Sequence, residues 1–359
     1  MQLADILLVS FFGALLLAVL FTPVAIKIAP KIGAMDIPKD DRRVHTKAMP
    51  RFGGMAIFIA VSVMLIVLAS VLHEKRLYWI LIGGVVIYAL GVVDDLKTLP
   101  AKLKFIVQLL VAVGMYFSGL KITFIAKIFG SGHMEFGALI CFVVTVLWIA
   151  GITNTVNLVD GLDGLAAGTS AIASLSIAYV AYTHGMYAVA ASMLALAGAT
   201  IGFLPYNFYP AKIFMGDGGS LYLGFMLATI SIIGPIKGAT IVAVIVPVLV
   251  LGFPIFDTFF AILRRLVNKK PIMSPDKGHL HHRLMRLGYG QRRATLTLYC
   301  VSGIMGVAAI TLSNNQWLET IALFGIVFVM IYIFLTDPNH LAPKLKNDEN
   351  TPEQKSEEK

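Results

Sequence analysis

The sequence predicts an all-α polytopic membrane protein of about 11 transmembrane helices, N-terminus outside and C-terminus cytoplasmic. Three observations predict it: the composition, the length of the apolar blocks, and the uneven sharing of basic residues between successive loops. Of 359 residues, 58% are hydrophobic and only 14% charged, and the mean hydropathy is +0.82. A soluble domain carries about 25% charged residues, so a water-soluble globule is excluded. Cys141 and Cys300 both fall in apolar blocks. They are too few for a disulfide framework and lack metal-ligand spacing.

The first apolar block, Leu7–Val24, has neither a basic leading region nor a small-residue cleavage site. It reads as the first span, 4–28, rather than as a removable signal. Further blocks follow at 53–72, 77–93, 103–120, 136–152, 165–182, 186–203, 219–236, 239–260, 294–312 and 317–335. Each is long enough to cross a hydrocarbon core of about 30 Å. The ninth contains Pro254, and a proline inside a span predicts a bent or discontinuous helix. An odd number of spans puts the termini on opposite sides, and the basic residues choose which. Loops 29–52, 94–102, 153–164, 204–218 and 261–293 share one side with the C-terminal tail. Of 29 Lys and Arg, only Lys75, Arg76, Lys121, Lys127 and Lys237 lie opposite. The first side is therefore cytoplasmic. The net charge of +9 follows mostly from this topology and from attraction for anions, and it does not point to nucleic acid. One membrane domain, 1–336, precedes a charged tail, 337–359, whose composition predicts disorder.

Acidic residues number only 20, yet aspartates recur at span ends on the cytoplasmic side. The third span ends Gly91-Val92-Val93-Asp94-Asp95-Leu96-Lys97. Two adjacent carboxylates at the edge of hydrocarbon are costly unless paired or bound to a cation. Helix-end solvation with Lys97 as partner is the competing reading. Next comes Asn157-Leu158-Val159-Asp160-Gly161-Leu162-Asp163-Gly164. If the helix continues from Asn157, then Asn157, Asp160 and Asp163 share one face. No Lys or Arg lies between 128 and 211, so these acids lack a local counter-ion. A Mg²⁺ held by one or two carboxylates and substrate phosphates would supply one. Phe214-Met215-Gly216-Asp217-Gly218-Gly219-Ser220 then leads into the eighth span. It resembles an anion cradle, with free backbone N–H groups, Ser220 as a cap and Asp217 as a metal ligand beside a phosphate. Asp257 precedes Arg264 and Arg265 by about two turns, where an ion pair competes with any functional role.

Two cytoplasmic loops are basic. In 261–293, Leu280, Leu284 and Leu287 fall on one helical face and His279, His282, Arg283 and Arg286 on another. A cationic interfacial helix suits anion recognition; zinc ligation by His279, His281 and His282 is the alternative, lacking a fourth ligand. The other loop reads Arg42-Arg43-Val44-His45-Thr46-Lys47-Ala48-Met49-Pro50-Arg51-Phe52-Gly53-Gly54. Positive-inside charge alone would explain its Lys and Arg.

Taken in order, these five motifs resemble the polyprenyl-phosphate N-acetylhexosamine-1-phosphate transferases of glycosyltransferase family 4. The resemblance covers residues 1 to about 336. It is nearest to the WecA/TagO branch, because eleven spans and His-Leu-His-His argue against the MraY branch of muramoyl-pentapeptide transferases. It implies transfer of N-acetylglucosamine-1-phosphate from UDP-GlcNAc to undecaprenyl phosphate with release of UMP, the first membrane step of a cell-envelope glycan. By position it implies Asp217 and Asn157 at Mg²⁺ (or Mn²⁺ in its place), and Asp94, Asp95, Asp160 and Asp163 as catalytic acids. It also implies His45, Lys47, Asn157, Asn207, His279, His281, His282 and Arg283 in substrate binding. A homodimer in the bacterial plasma membrane, with its site facing the cytoplasm, completes the expectation.

Such phosphoryl transfer is mostly positioning and charge neutralisation. A lipid phosphate, with a second pKa near about 6, is largely a dianion at neutral pH. Direct in-line attack is therefore expected, with Asp94 or Asp95 orienting it or taking its residual proton. A covalent aspartyl-phosphate is the alternative. A transporter of an anionic lipid or solute would place its ionisable groups near the membrane midplane, whereas these acids gather at one face.

Overall fold

The computed structural model describes residues 2–37, 48–126, 133–233, 246–267, 283–285, 287–314 and 316–336. Among the described residues these helices run in chain order: α1 (Leu3–Ile32), α2 (Gly54–Val71), α3 (Arg76–Lys97), α4 (Ala101–Phe117), α5 (Ala138–Val159), α6 (Leu165–Thr183), α7 (Tyr187–Asn207), α8 (Gly216–Ser231), α9 (Val246–Val250), α10 (Gly252–Val267), α11 (Gln291–Ser313) and α12 (Trp317–Thr336). Among the described residues, seven of them (α1, α2, α3, α5, α6, α7 and α11) are long and apolar enough to cross a membrane. The chain is thus a polytopic helical membrane protein. The sequence did not foretell two small antiparallel sheets. They are β1 (Met35–Asp36) with β2 (Met49–Pro50), and β3 (Phe124–Ala126) with β4 (His133–Glu135).

Helix α8 is the axis of the bundle. Every residue from Gly218 to Ser231 is buried, and α2, α3 and α5 pack around it. On the other flank α1 lies on α7, α7 on α6, and α6 on α11. In lipid the hydrophobic effect does not drive one helix against another, so close packing of small residues must. Gly198 and Gly202 let α7 approach the Phe11 and Leu15 carbonyls of α1 so closely that a Cβ would sit 2.1 and 2.5 Å away. Buried hydroxyls have no water to bond. Ser10, Thr22, Thr153, Thr200 and Thr229 each donate to the carbonyl one turn back in their own helix.

Several boundaries differ from expectation, and three of the differences build the site. Helix α3 runs on to Lys97 rather than ending at 93, which places Asp94 and Asp95 inside its last turn. Helix α5 stops at Val159, so Asn157, Asp160 and Asp163 do not continue along one helix. Residues 160–164 form a turn that ends at Gly164, whose φ of 76° suits glycine. Helix α8 starts at Gly216, three residues early, so Asp217 belongs to its first turn. In the ninth predicted span the break falls at Leu251, between α9 and α10. Pro254 sits in the first turn of α10, where its missing N–H has no intrahelical partner to lose.

Candidate active site

Backbone pairing assembles the site before any side chain does. The Phe214 N–H donates to the Pro50 carbonyl at 2.8 Å, Gly53 N–H to the Phe214 carbonyl at 2.9 Å, and Gly54 N–H to the Met215 carbonyl at 2.9 Å. Pro50-Arg51-Phe52-Gly53-Gly54 therefore lies along Phe214-Met215-Gly216, and the Arg51 N–H is tied to the Ala34 carbonyl at 2.9 Å. Only glycines allow this approach. A Cβ on Gly54 would lie 2.3 Å from the Gly219 Cα, and one on Gly216 (φ 75°) 2.6 Å from an oxygen of Asp95.

The acids converge on that seam from two helices and a turn. Both oxygens of Asp95 are fixed by the start of α8: Asp217 N–H donates to Oδ1 at 2.9 Å and Gly218 N–H to Oδ2 at 3.0 Å. The anion cradle expected at Gly-Asp-Gly-Gly-Ser thus exists, but the protein's own carboxylate fills it. Ser220 is no cap; its hydroxyl donates back to the Gly216 carbonyl at 3.0 Å and accepts from Asn157 Nδ2 at 2.8 Å. Asp94 accepts from Leu99 N–H at 2.6 Å and from Lys104 Nζ at 2.6 Å. Asp217 is held by Arg51 Nη2 on Oδ1 at 2.7 Å and by Lys104 Nζ on Oδ2 at 3.1 Å. Arg51 Nε also reaches Asp95 Oδ1 at 3.0 Å. The counter-ions of the acid pair are therefore Arg51 and Lys104, not the neighbouring Lys97.

Asp160 stands apart in its contacts: no ion pair or hydrogen bond engages its carboxylate among the described residues. Burial pushes its carboxyl up to about 7; Arg51 opposes this, while Asp217, Asp95 and Asp163 reinforce it. Burial acts against the Arg51 guanidinium, yet Asp95, Asp217, Asp160 and Asp94 outweigh it and raise its pKa above the usual arginine value.

The remaining expected residues divide. Asp163 accepts from the Ala211 N–H at 2.9 Å, so its carboxylate anchors the segment leading to Asp217. Asn207, expected at the substrate, is 2% exposed and donates to the Ile213 carbonyl at 3.0 Å. It ties down the same segment from inside. Arg283 is exposed beside Leu284, which packs with Val159, Leu162 and Leu165 against the turn carrying Asp160 and Asp163. His45, Lys47, His279, His281 and His282 lie outside the described residues, as do the side chains of Asp257 and Arg264.

Sequence reasoning missed Arg51 and Lys104 as site cations. Both read as positive-inside charge at span ends, and only their distance to acids remote in sequence distinguishes them. It also missed Gln108 of α4, 2% exposed, whose Oε1 accepts from Asn154 Nδ2 of α5. That pair braces α4 and α5 one turn from Lys104 and from Asn157.

Among the described residues no three His, Cys, Asp or Glu side chains form a ready-made metal site. The donor chemistry nevertheless fits a hard divalent cation. Five aspartates (Asp94, Asp95, Asp160, Asp163 and Asp217) face two contacting cations, Arg51 and Lys104. A Mg²⁺ that arrives with phosphate oxygens needs only one or two protein carboxylates.

A helical membrane bundle that gathers buried acids and two cations at one end has the makings of an enzyme for anionic substrates, not of a transporter with its charges at midplane. The family model described as Glycosyl transferase family 4 matches residues 77–235, from α3 past the end of α8. A Bacillus subtilis protein named probable undecaprenyl-phosphate N-acetylglucosaminyl 1-phosphate transferase is 44% identical over 325 residues, 90% of each chain. A decaprenyl-phosphate N-acetylglucosaminephosphotransferase of Mycolicibacterium smegmatis is 34% identical over 87% of this chain and 83% of its own. An undecaprenyl-phosphate alpha-N-acetylglucosaminyl 1-phosphate transferase of Thermotoga maritima is 35% identical over 77% and 78%. The chain belongs to glycosyl transferase family 4.

Proposed function

We propose that the protein transfers N-acetylglucosamine-1-phosphate from UDP-GlcNAc to undecaprenyl phosphate, giving undecaprenyl-diphosphate-GlcNAc and UMP. The convergence of Asp94, Asp95, Asp160 and Asp217 with Arg51 and Lys104 at one end of the bundle carries the reading. The names of the relatives choose the substrates. Eleven spans, an external N-terminus and a site opening to the cytoplasm of a bacterial plasma membrane complete it, supported by the sharing of basic residues between loops. A homodimer is part of the same reading.

In this reading Asp217, with Asn157, would hold Mg²⁺, for which Mn²⁺ could substitute, and the chemistry it would supply there is neutralisation of charge on the diphosphate. Arg51 and Lys104 add positive charge beside the transferred phosphoryl group. Asp95 is spent on the α8 N-terminus and Asp94 on Lys104 and Leu99, so both position rather than accept protons. Asp160, whose carboxylate is unengaged among the described residues, is the acid fitted to take the acceptor's residual proton. The prenyl tail stays in lipid while its phosphate reaches the end of the bundle.

Purified protein in detergent, given Mg²⁺, UDP-GlcNAc and undecaprenyl phosphate, should release UMP in step with lipid product. UDP-GalNAc and UDP-MurNAc-pentapeptide should be poor donors. No UMP release would sink the reading. Without acceptor, direct attack predicts no burst; one equivalent of UMP with label left on the protein would establish a covalent aspartyl-phosphate instead.

A further inference from the structure

We infer that Arg51 is an exchangeable counter-ion: it occupies the Asp217 carboxylate until the substrate's diphosphate takes it, which couples metal binding to nucleotide binding. The inference rests on the function proposed above. Each oxygen of Asp217 already has a cation, Arg51 Nη2 on Oδ1 and Lys104 Nζ on Oδ2. A divalent ion approaching that carboxylate meets the positive charge of both side chains, and binds more tightly once one of them moves away.

Arg51 is the one built to move. Its side chain is 35% exposed, against 2% for Asp95 and 15% for Asp217, so the guanidinium lies on the open side of the acids. Its backbone is fixed by the Ala34 carbonyl and by the bridge to Phe214, so only the side chain need swing. Asp95 does not depend on it, because two α8 N–H groups hold both of its oxygens. Lys104 is the less exposed of the two cations, at 22%, and it is the contacting cation of Asp94, at 2.6 Å, among the described residues. A diphosphate offers the guanidinium a two-point contact in place of the single contacts it makes to Asp217 and to Asp95, and so releases one oxygen of Asp217. Binding energies being reciprocal, nucleotide must then tighten the metal by the same factor as metal tightens nucleotide.

Mn²⁺ binding followed by electron paramagnetic resonance tests this without turnover, using full-length protein and no acceptor lipid. Wild type should bind Mn²⁺ weakly alone and about tenfold or more tightly with UDP-GlcNAc present. Arg51→Gln should bind Mn²⁺ tightly by itself, lose most of that coupling, and show a raised KM for UDP-GlcNAc. Arg51→Lys keeps the charge without the fork, and covers the case in which the Gln variant fails to fold. It should hold Mn²⁺ affinity near wild type when nucleotide is absent and still raise the KM. Coupling unchanged in either folded variant, or Mn²⁺ bound equally tightly by wild type with and without nucleotide, would overturn the exchange while leaving UMP release intact. Absence of UMP release from wild type would instead overturn the enzymatic reading and the exchange with it.

Discussion

Gly91→Ala places one methyl group where α3 crosses the start of α8. Its Cβ would lie 2.5 Å from the carbonyl carbon and oxygen of Asp217 and 2.5 Å from the Gly218 Cα. Ordinary contact begins at 3.4 Å, so the helices must part by close to 1 Å at that point. The obstructing atoms are backbone, and no side chain can rotate out of the way. Overpacking of this kind costs about 1–3 kcal/mol in stability. The larger consequence is local: the same movement draws Asp95, one turn on, away from the Asp217 and Gly218 N–H groups it holds at 2.9 and 3.0 Å. A misplacement of about 1 Å at a reacting centre can cost on the order of 100-fold in rate. Gly91→Ala should therefore insert and purify, lose several degrees of apparent Tm in detergent, and retain only a few per cent of UMP release. Gly151→Ala in α5 is the control, because nothing beyond its own helical turn lies within 4 Å of its Cβ. It should leave the rate unchanged and match or slightly exceed wild-type stability, since alanine is the better helix former. If Gly91→Ala turns over within about twofold of Gly151→Ala, the α3–α8 seam does not set the site's geometry.

Asp160 gives a pH test in metal-free protein. Its folded carboxyl, raised to about 7 from 3.8, binds a proton more tightly than the unfolded chain does. That stabilisation is full below the ordinary value and is lost as pH rises from about 4 to about 7. At about 1.36 kcal/mol per unit, the loss is a few kcal/mol. In chelator, the apparent Tm of wild type should fall across that window relative to Asp160→Asn, and parallel melting curves would refute the assignment. Gln108→Ala leaves Asn154 without its partner on α4, a loss of about 1–3 kcal/mol for a buried polar group. The variant should melt lower and, because Lys104 lies one turn away, should transfer more slowly. An unchanged rate would detach the brace from the site.

Helix-length apolar blocks, the polarity of the loops and the position of every acid are local properties, and they were legible in the sequence. A segment that must satisfy its own backbone in lipid has few conformations to choose from, so length and hydropathy nearly decide it. The acids were recognisable as a constellation for a related reason: carboxylates at span ends are costly, and a chain with only 20 acidic residues does not place them there idly. Partnership was not local. Lys97 is close to Asp94 and Asp95 in the chain, yet Arg51 and Lys104 hold them, because residues 50–54 pair by backbone with Phe214 and Met215, just ahead of α8, and α4 folds back along α3. The phosphate-like cradle at Asp217 was correct as a motif and wrong as to occupant: Asp95 is already there, delivered by an α3 that runs four residues further than hydropathy suggested. Helical periodicity aligned Asn157, Asp160 and Asp163 on one face, but the chain turns at Asp160, which leaves Asp160 unpaired and sends Asp163 to the Ala211 N–H. Sequence spacing fixes which residues are neighbours along a helix; which carboxylate meets which cation across helices depends on backbone approach at glycines, and only the packed bundle decides it.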